Sequence, residues 1–244
     1  MEPKLIVVAD EQAMSAMAAD MVAETLGAHP AAAISLPTGS TPVGMFNELI
    51  SRGKGGSLDL AKFHLFCLDE YLGVSADDPN TLTSWLMRTF IVPAGIPLGH
   101  VHTLPVESEY PEAAAKRYED EIAGCGGLKL AVLGIGGNGH IAYNEPGSLS
   151  DSRTRVVHLT PESVEQAAEY FDGATVPTMA MTVGVGTLLE ARKIVLIASG
   201  AAKQDILHAA LKGPLTAEVP ASWLRLDAER VTVIADEAAA AKLD

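Results

Sequence analysis

The chain has 244 residues, 48% of them hydrophobic, and a formal net charge of −14. That length suits one large domain or two small ones and can fill a sizeable core. The negative charge repels phosphate backbones and anionic membrane surfaces, so neither nucleic acid nor a membrane is expected as partner.

The first apolar run, Leu5–Ala9, reads as a strand. It is too short for a signal peptide, and no run approaches a membrane span, so a cytoplasmic protein is expected. Residues 11–26 repeat apolar positions at three- and four-residue spacing, which predicts a helix. Next come a strand (Ala32–Leu36), the loop "PTGSTP" (Pro37–Pro42) and a helix beginning at Val43. A third strand, Phe63–Leu68, leads directly into "DEY" (Asp69–Tyr71). Helix Pro111–Gly124 opens on a proline, which suits a first turn. Strand Leu128–Ile135 then runs into "GGNGHIAYNEP". Residues 145–191 break the rhythm with a strand (Arg155–Leu159), a polar helix (Pro161–Phe171) and another strand (Met179–Val183). This stretch reads as a lid excursion from one domain spanning 1–244. The chain closes with strand Lys193–Ser199, the loop "SGAAK", a helix ending on Gly213, and strand Val231–Ala235.

Strand–helix alternation with continuous apolar strands predicts an α/β fold: a mainly parallel, Rossmann-like sheet with helices on both faces. Ligands bind such sheets at the carboxyl ends of the strands. Four polar loops fall there: "PTGSTP", "DEY", "GGNGHIAYNEP" and "SGAAK".

Gly134, Gly136 and Gly139 spell G-x-G-x-x-G. A dinucleotide site needs a helix opening at the third glycine and an acidic residue about twenty positions on. "HIAYNEPGS" has no helical pattern, and the later neighbourhood reads "VVHLT". The glycines are better read as letting backbone and His140 approach a substrate. No cofactor is expected. His140 and Glu145, five residues apart with no second His or Cys nearby, lack the ligands for a metal. As an acid/base pair they make sense, because a carboxylate holds an imidazole's tautomer and raises its basicity. Asn138 can orient the pair or bind a sugar hydroxyl. The hydroxyl-rich "PTGSTP" loop before a helix suits a phosphate, or is an ordinary capping turn. Lys203 near a helix start opposes the macrodipole unless an anion sits there. Asp69 and Glu70 are candidate bases or helix caps. Cys67 and Cys125 show neither a disulfide framework nor zinc spacing, and Cys67 reads as a buried small residue.

The segments "LPTGSTP", "LDEYLG", "GIGGNGHIAYNEPGS", "SRTR", "MTVGVGTLL" and "SGAAK" stand in one order. On them the chain resembles the glucosamine-6-phosphate deaminase family over nearly its whole length. The resemblance implies a Rossmann-like fold without nucleotide, acting on an amino-sugar phosphate. It implies ring opening, transfer of a proton from C2 to C1, and release of ammonia to leave fructose 6-phosphate. It assigns the C2 proton to Asp69 and ring opening to His140, with Glu145 and Asn138 holding His140. It rests the phosphate on Thr38, Gly39, Ser40, Thr41 and Lys203. A homo-oligomer is left open. Two positions depart from the family pattern. Val157 stands where members activated by an acetylated sugar phosphate carry Lys, and Glu169 stands where an Arg grips the phosphate. Four readings of Glu169 then stand: weak affinity for glucosamine 6-phosphate, another cation such as Arg153 or Arg155 taking over the phosphate, Glu169 reading part of a different substrate, or a lid helix shifted in register so that Glu169 faces solvent. The rival readings are a 6-phosphogluconolactonase, an isomerase or deaminase for a different amino-sugar phosphate, and a non-catalytic sugar-phosphate sensor.

Overall fold

The computed structural model describes residues 2–75, 77–168, 171 and 175–243. The strands are β1 (Lys4–Val8), β2 (Ala33–Leu36), β3 (His64–Cys67), β4 (Asp69–Tyr71), β5 (Val101–His102), β6 (Leu128–Leu133), β7 (Arg155–His158), β8 (Met179–Thr182), β9 (Ile194–Ala198) and β10 (Val231–Asp236). The α-helices are α1 (Glu11–Ala28), α2 (Val43–Lys54), α3 (Leu82–Leu86), α4 (Val92–Ala94), α5 (Pro111–Gly124), α6 (Pro161–Ala168), α7 (Val185–Leu189), α8 (Gln204–Lys212) and α9 (Glu237–Ala240).

Among the described residues, seven strands form one parallel sheet in the order β1-β10-β9-β6-β2-β3-β5. The expected α/β fold is present, and all six expected parallel strands lie in this sheet. Continuous apolar strands follow from burial on both faces. Along β9, Ile194, Leu196 and Ala198 join one apolar cluster, while Val195 and Ile197 join the other. The first cluster packs beneath α5, α7, α8 and α9; the second packs beneath α1, α2 and residues 86–91.

After β2 the chain builds outward through β3 to β5. It then returns to β6 on the other side of β2 and builds through β9 and β10. The reversal lies between β2 and β6, where a doubly wound sheet opens its binding crevice. The loops after those two strands carry "PTGSTP" and "GGNGHIAYNEP".

A second, antiparallel sheet has the order β4-β8-β7. Here the reading of Asp69–Tyr71 as a loop is corrected, because those residues are β4. Leu68 alone separates β3 from β4, and its carbonyl accepts a hydrogen bond from the Val183 amide at 2.8 Å. The chain thus passes from one sheet into the other without a turn. Tyr71, Leu159, Ala167, Phe171 and Ala180 form a third apolar cluster under α6, apart from the two main ones. Within 145–191, α7 instead packs into a main core through Leu188. Gly213 does end α8, but with negative φ; it is required because a Cβ there would meet the Ala209 carbonyl oxygen at 2.4 Å.

Candidate active site

A cavity of about 340 Å³ opens at the carboxyl ends of β2, β3 and β6. Thr38, Gly39, Ser40, Thr41 and Lys203 are among the residues that line it. Asp69 and His140 line the interior, and Ser163, Gln166 and Ala167 of α6 form another wall. Glu145 and Asn138 stand behind His140. The four polar loops therefore converge, because the strands that carry them are neighbours at the switch point.

Adjacent in sequence, Asp69 and Glu70 have different tasks because alternate residues of β4 face opposite ways. The Glu70 carboxylate accepts the amides of Tyr71 at 2.8 Å, Leu82 at 3.0 Å and Thr83 at 2.7 Å. It thereby caps the start of α3, where unpaired N–H groups need acceptors. Asp69 faces the cavity. It is buried, and its Oδ1 has no hydrogen-bond partner among the described residues. Burial, reinforced by the neighbouring charge of Glu70, pushes its carboxyl up to about 7. A base poised there can both take and return a proton near neutral pH.

The glycines of the G-x-G-x-x-G stretch have steric work to do. A Cβ on Gly136 would lie 2.3 Å from Nε2 of His140, so the imidazole rests where any side chain would stand. Gly139 has φ of +87° and would press on Val219. Turns, not a helix, follow Gly139. Ala142, next to the site, also has positive φ, at +47°. Such backbone costs an L-residue roughly 1 kcal/mol or more and persists where the surroundings enforce it.

His140 turns Nδ1 toward Glu145 Oε2 at 3.4 Å and the Ser163 hydroxyl at 3.3 Å. Nε2 is left for the cavity. Asn138 donates to Glu145 Oε2 at 2.7 Å and to the Thr160 hydroxyl at 3.1 Å, and accepts the His140 amide at 3.1 Å. Burial alone would raise the Glu145 carboxyl. Hydrogen bonds from His140 and Ser163, the His140 charge and the Asn138 amide outweigh it and hold the group at about 2. Glu145 is thus a fixed anion behind the imidazole.

Lys203 is half-buried, at the entry to α8, with no ion pair among the described residues. Burial lowers its pKa, and the charge of Glu162 opposes that shift. Its loop is held by Asp236, which accepts the Gly200 amide at 2.9 and 3.0 Å. Helix α2 begins without a side-chain cap, and its first N–H groups follow directly on the Thr38–Thr41 loop.

Arg153 and Arg155 are not among the residues that line this cavity, which goes against the one alternative in which either takes over from the missing arginine. Arg153 is paired with Glu119 and Glu190; Arg155 donates to Asn144 and Ser148. Arg88 does line it, on the rim with Trp85 and Asn80. Glu169 lies outside the described residues. Sequence reasoning also missed Ser163, Thr160 and the Tyr71–Tyr143 hydroxyl contact of 2.9 Å. Tyr143 sits inside the quoted "HIAYNEP" stretch, whereas Thr160 and Ser163 carry no local signal beyond opening a helix.

A family model described as glucosamine-6-phosphate isomerases/6-phosphogluconolactonase matches residues 9–233. The glucosamine-6-phosphate deaminase of Cutibacterium acnes is 39% identical over 241 residues, covering 98% of this chain and 92% of its own length. A solved structure of a monomeric glucosamine-6-phosphate deaminase is similar at a TM-score of 0.93 and 33% identity, covering 98% of this chain and 99% of the other. The 6-phosphogluconolactonase of Trypanosoma brucei shares the fold at a TM-score of 0.74 and 21% identity, over 100% and 99% of the two chains.

Proposed function

This chain belongs to the family of glucosamine-6-phosphate isomerases and 6-phosphogluconolactonases, and from that premise we propose that it converts glucosamine 6-phosphate to fructose 6-phosphate and ammonia. The observation that carries this reading is Asp69: a buried carboxylate, unpaired among the described residues, poised at about 7 and facing the same cavity as His140. Lactone hydrolysis needs no base for a carbon-bound proton; aldose–ketose transfer does.

In the proposed reaction the sugar phosphate is held by the hydroxyls and amides of Thr38–Thr41 and by Lys203. A phosphate there meets the uncapped start of α2, where backbone N–H groups and the helix dipole favour an anion. Arg88 supplies a second cation at the rim in place of the family's arginine. His140, with Nδ1 held by Glu145 and Ser163, presents Nε2 to the ring oxygen and the C1 hydroxyl and relays a proton as the ring opens. Asp69 then removes the proton from C2. It returns that proton to C1, which leaves an iminium at C2; water adds there and ammonia departs to give the C2 ketone, and Asp69 is regenerated in each cycle. Asn138 keeps Glu145 in place: its amide donates to the carboxylate that steadies the imidazole. Residues 145–191 act as the lid segment of one domain, and among the described residues of that segment those lining the cavity are in α6. The chemistry and phosphate contacts are assigned within one chain, so this reading does not require a homo-oligomer. In this reading the protein works in the cytoplasm, among the amino-sugar phosphates it would act on.

The test is to incubate the purified protein with glucosamine 6-phosphate and measure ammonia and fructose 6-phosphate. Equal yields of both are expected. Hydrolysis of 6-phosphogluconolactone without ammonia release from the amino sugar would overturn the assignment.

A further inference from the structure

At the far end of β3 from Asp69, the fold assembles donors that are distant in sequence. His64 begins β3, His102 ends β5, and Cys125 caps the C-terminus of α5. One ligand atom from each lies within 4.8 Å of both others. Nδ1 of His64 and Nε2 of His102 are 2.9 Å apart. The second nitrogen of His102 faces the Glu121 carboxylate at 3.4 Å. Neighbouring rings hold the imidazoles: Phe66 stacks on His102 at 4.1 Å between centroids, and His100 stacks on His64 at 4.7 Å. The Tyr118 hydroxyl lies 2.8 Å from the Cys67 carbonyl and 3.0 Å from that of His102, fixing α5 against both strands.

We propose that His64, His102 and Cys125 bind a zinc-type divalent cation that clasps β3, β5 and α5 together. Two imidazole nitrogens and a thiolate are the donor set of zinc, whereas magnesium and calcium take oxygen. Ligands of a tetrahedral ion stand roughly 3–4 Å apart, given metal–nitrogen bonds of about 2.0–2.1 Å and metal–sulfur bonds of about 2.3 Å. The pair at 2.9 Å needs only a small outward movement to admit an ion in place of its shared proton. Glu121 takes the part of the carboxylate that commonly orients a metal-bound histidine through its other nitrogen. Water fills the fourth corner. Nδ1 of His100, buried and without a partner among the described residues, is a polar group that this water can satisfy. The clasp has a clear mechanical use, since β5 is a two-residue strand at the edge of the parallel sheet.

Titration of the intact protein with Co²⁺, then Zn²⁺, tests this. One equivalent of Co²⁺ should give ligand-field bands of a four-coordinate ion and a thiolate-to-metal charge-transfer band, both bleached by one equivalent of Zn²⁺. Cys125→Ser should remove the charge-transfer band. Glu121→Gln, which keeps all three donors, should weaken Zn²⁺ binding about 10–100-fold. Absence of the charge-transfer band, or its survival in Cys125→Ser, would overturn the site. So would unchanged affinity in Glu121→Gln, because the orienting carboxylate is integral to the arrangement. A second measurement needs no variant: Zn²⁺, but not Mg²⁺, should slow alkylation of Cys125 by iodoacetamide, read by mass spectrometry. Cys67, 3% exposed, is the internal control. Equal alkylation with and without Zn²⁺ refutes the proposal.

Discussion

Replacing Asp69 with asparagine should produce a protein that is inactive yet harder to unfold above neutral pH. In the folded chain the carboxyl titrates at about 7, against 3.8 as its ordinary value. Between those values the folded state binds a proton that the unfolded state has released. Stability therefore falls as pH rises from about 4 to about 7, and is level above that. A shift of this size corresponds to about 4 kcal/mol for a fully buried group. For a chain of this length that is roughly 8–16 °C in Tm. Asparagine does not titrate, so the difference in Tm between variant and parent should open across that window and then hold constant. Ammonia release should fall about 10²–10⁴-fold. In the parent, kcat/KM should rise with pH through about 7 as the base ionises. Differential scanning calorimetry from pH 4 to 9, beside an ammonia assay, reads all of this. A Tm difference that does not vary with pH would refute the burial argument, and wild-type turnover in the variant would refute the base.

Three further expectations follow from the geometry. Gly136→Ala puts a methyl into the His140 ring and should lower kcat at least tenfold while leaving KM nearly unchanged; intact kcat would show that the ring is not fixed there. If Lys203 grips the phosphate as proposed, Lys203→Ala forfeits a charged hydrogen bond worth about 1.5–3 kcal/mol, so KM should rise roughly 10–150-fold, and a smaller change places the phosphate elsewhere. N-acetylglucosamine 6-phosphate should not alter the saturation curve, because Val157 packs against the apolar cluster under α6 and offers no charge; activation by that ligand in a steady-state assay would contradict this.

The parallel strands were legible because burial on both faces writes an uninterrupted apolar run, and the polar loops because such runs end abruptly. β5 was not legible, since two residues, Val101 and His102, carry no periodicity. β4 was hidden for a different reason. Asp69 and Glu70 are charged, and only pairing with β8, more than a hundred residues later, makes them a strand. A shorter separation explains why Asp69 and Glu70 were indistinguishable in sequence: two of the amides that claim Glu70 belong to residues 82 and 83, on the far side of a loop. His140, Asn138 and Glu145 were found because one loop holds all three, whereas Ser163 reaches His140 from another element. The cluster of His64, His102 and Cys125 has no readable spacing at all, because parallel pairing of β3 with β5 and packing of α5 create it.

The separate apolar cluster under α6 bears on how the molecule loses structure. Each cooperative unit of a protein opens with a free energy set by what it alone buries. Among its described side chains α6 buries only Ser163 and Ala167, while the strands beneath the cavity belong to the main cores. One wall of the cavity, with the hydroxyl that faces His140, is therefore set on the shallow end of the stability scale. Substrate that touches that wall would be bound partly by paying for its order, and its affinity would weaken on warming before the sheet yields. Activity and global fold then answer to different thresholds.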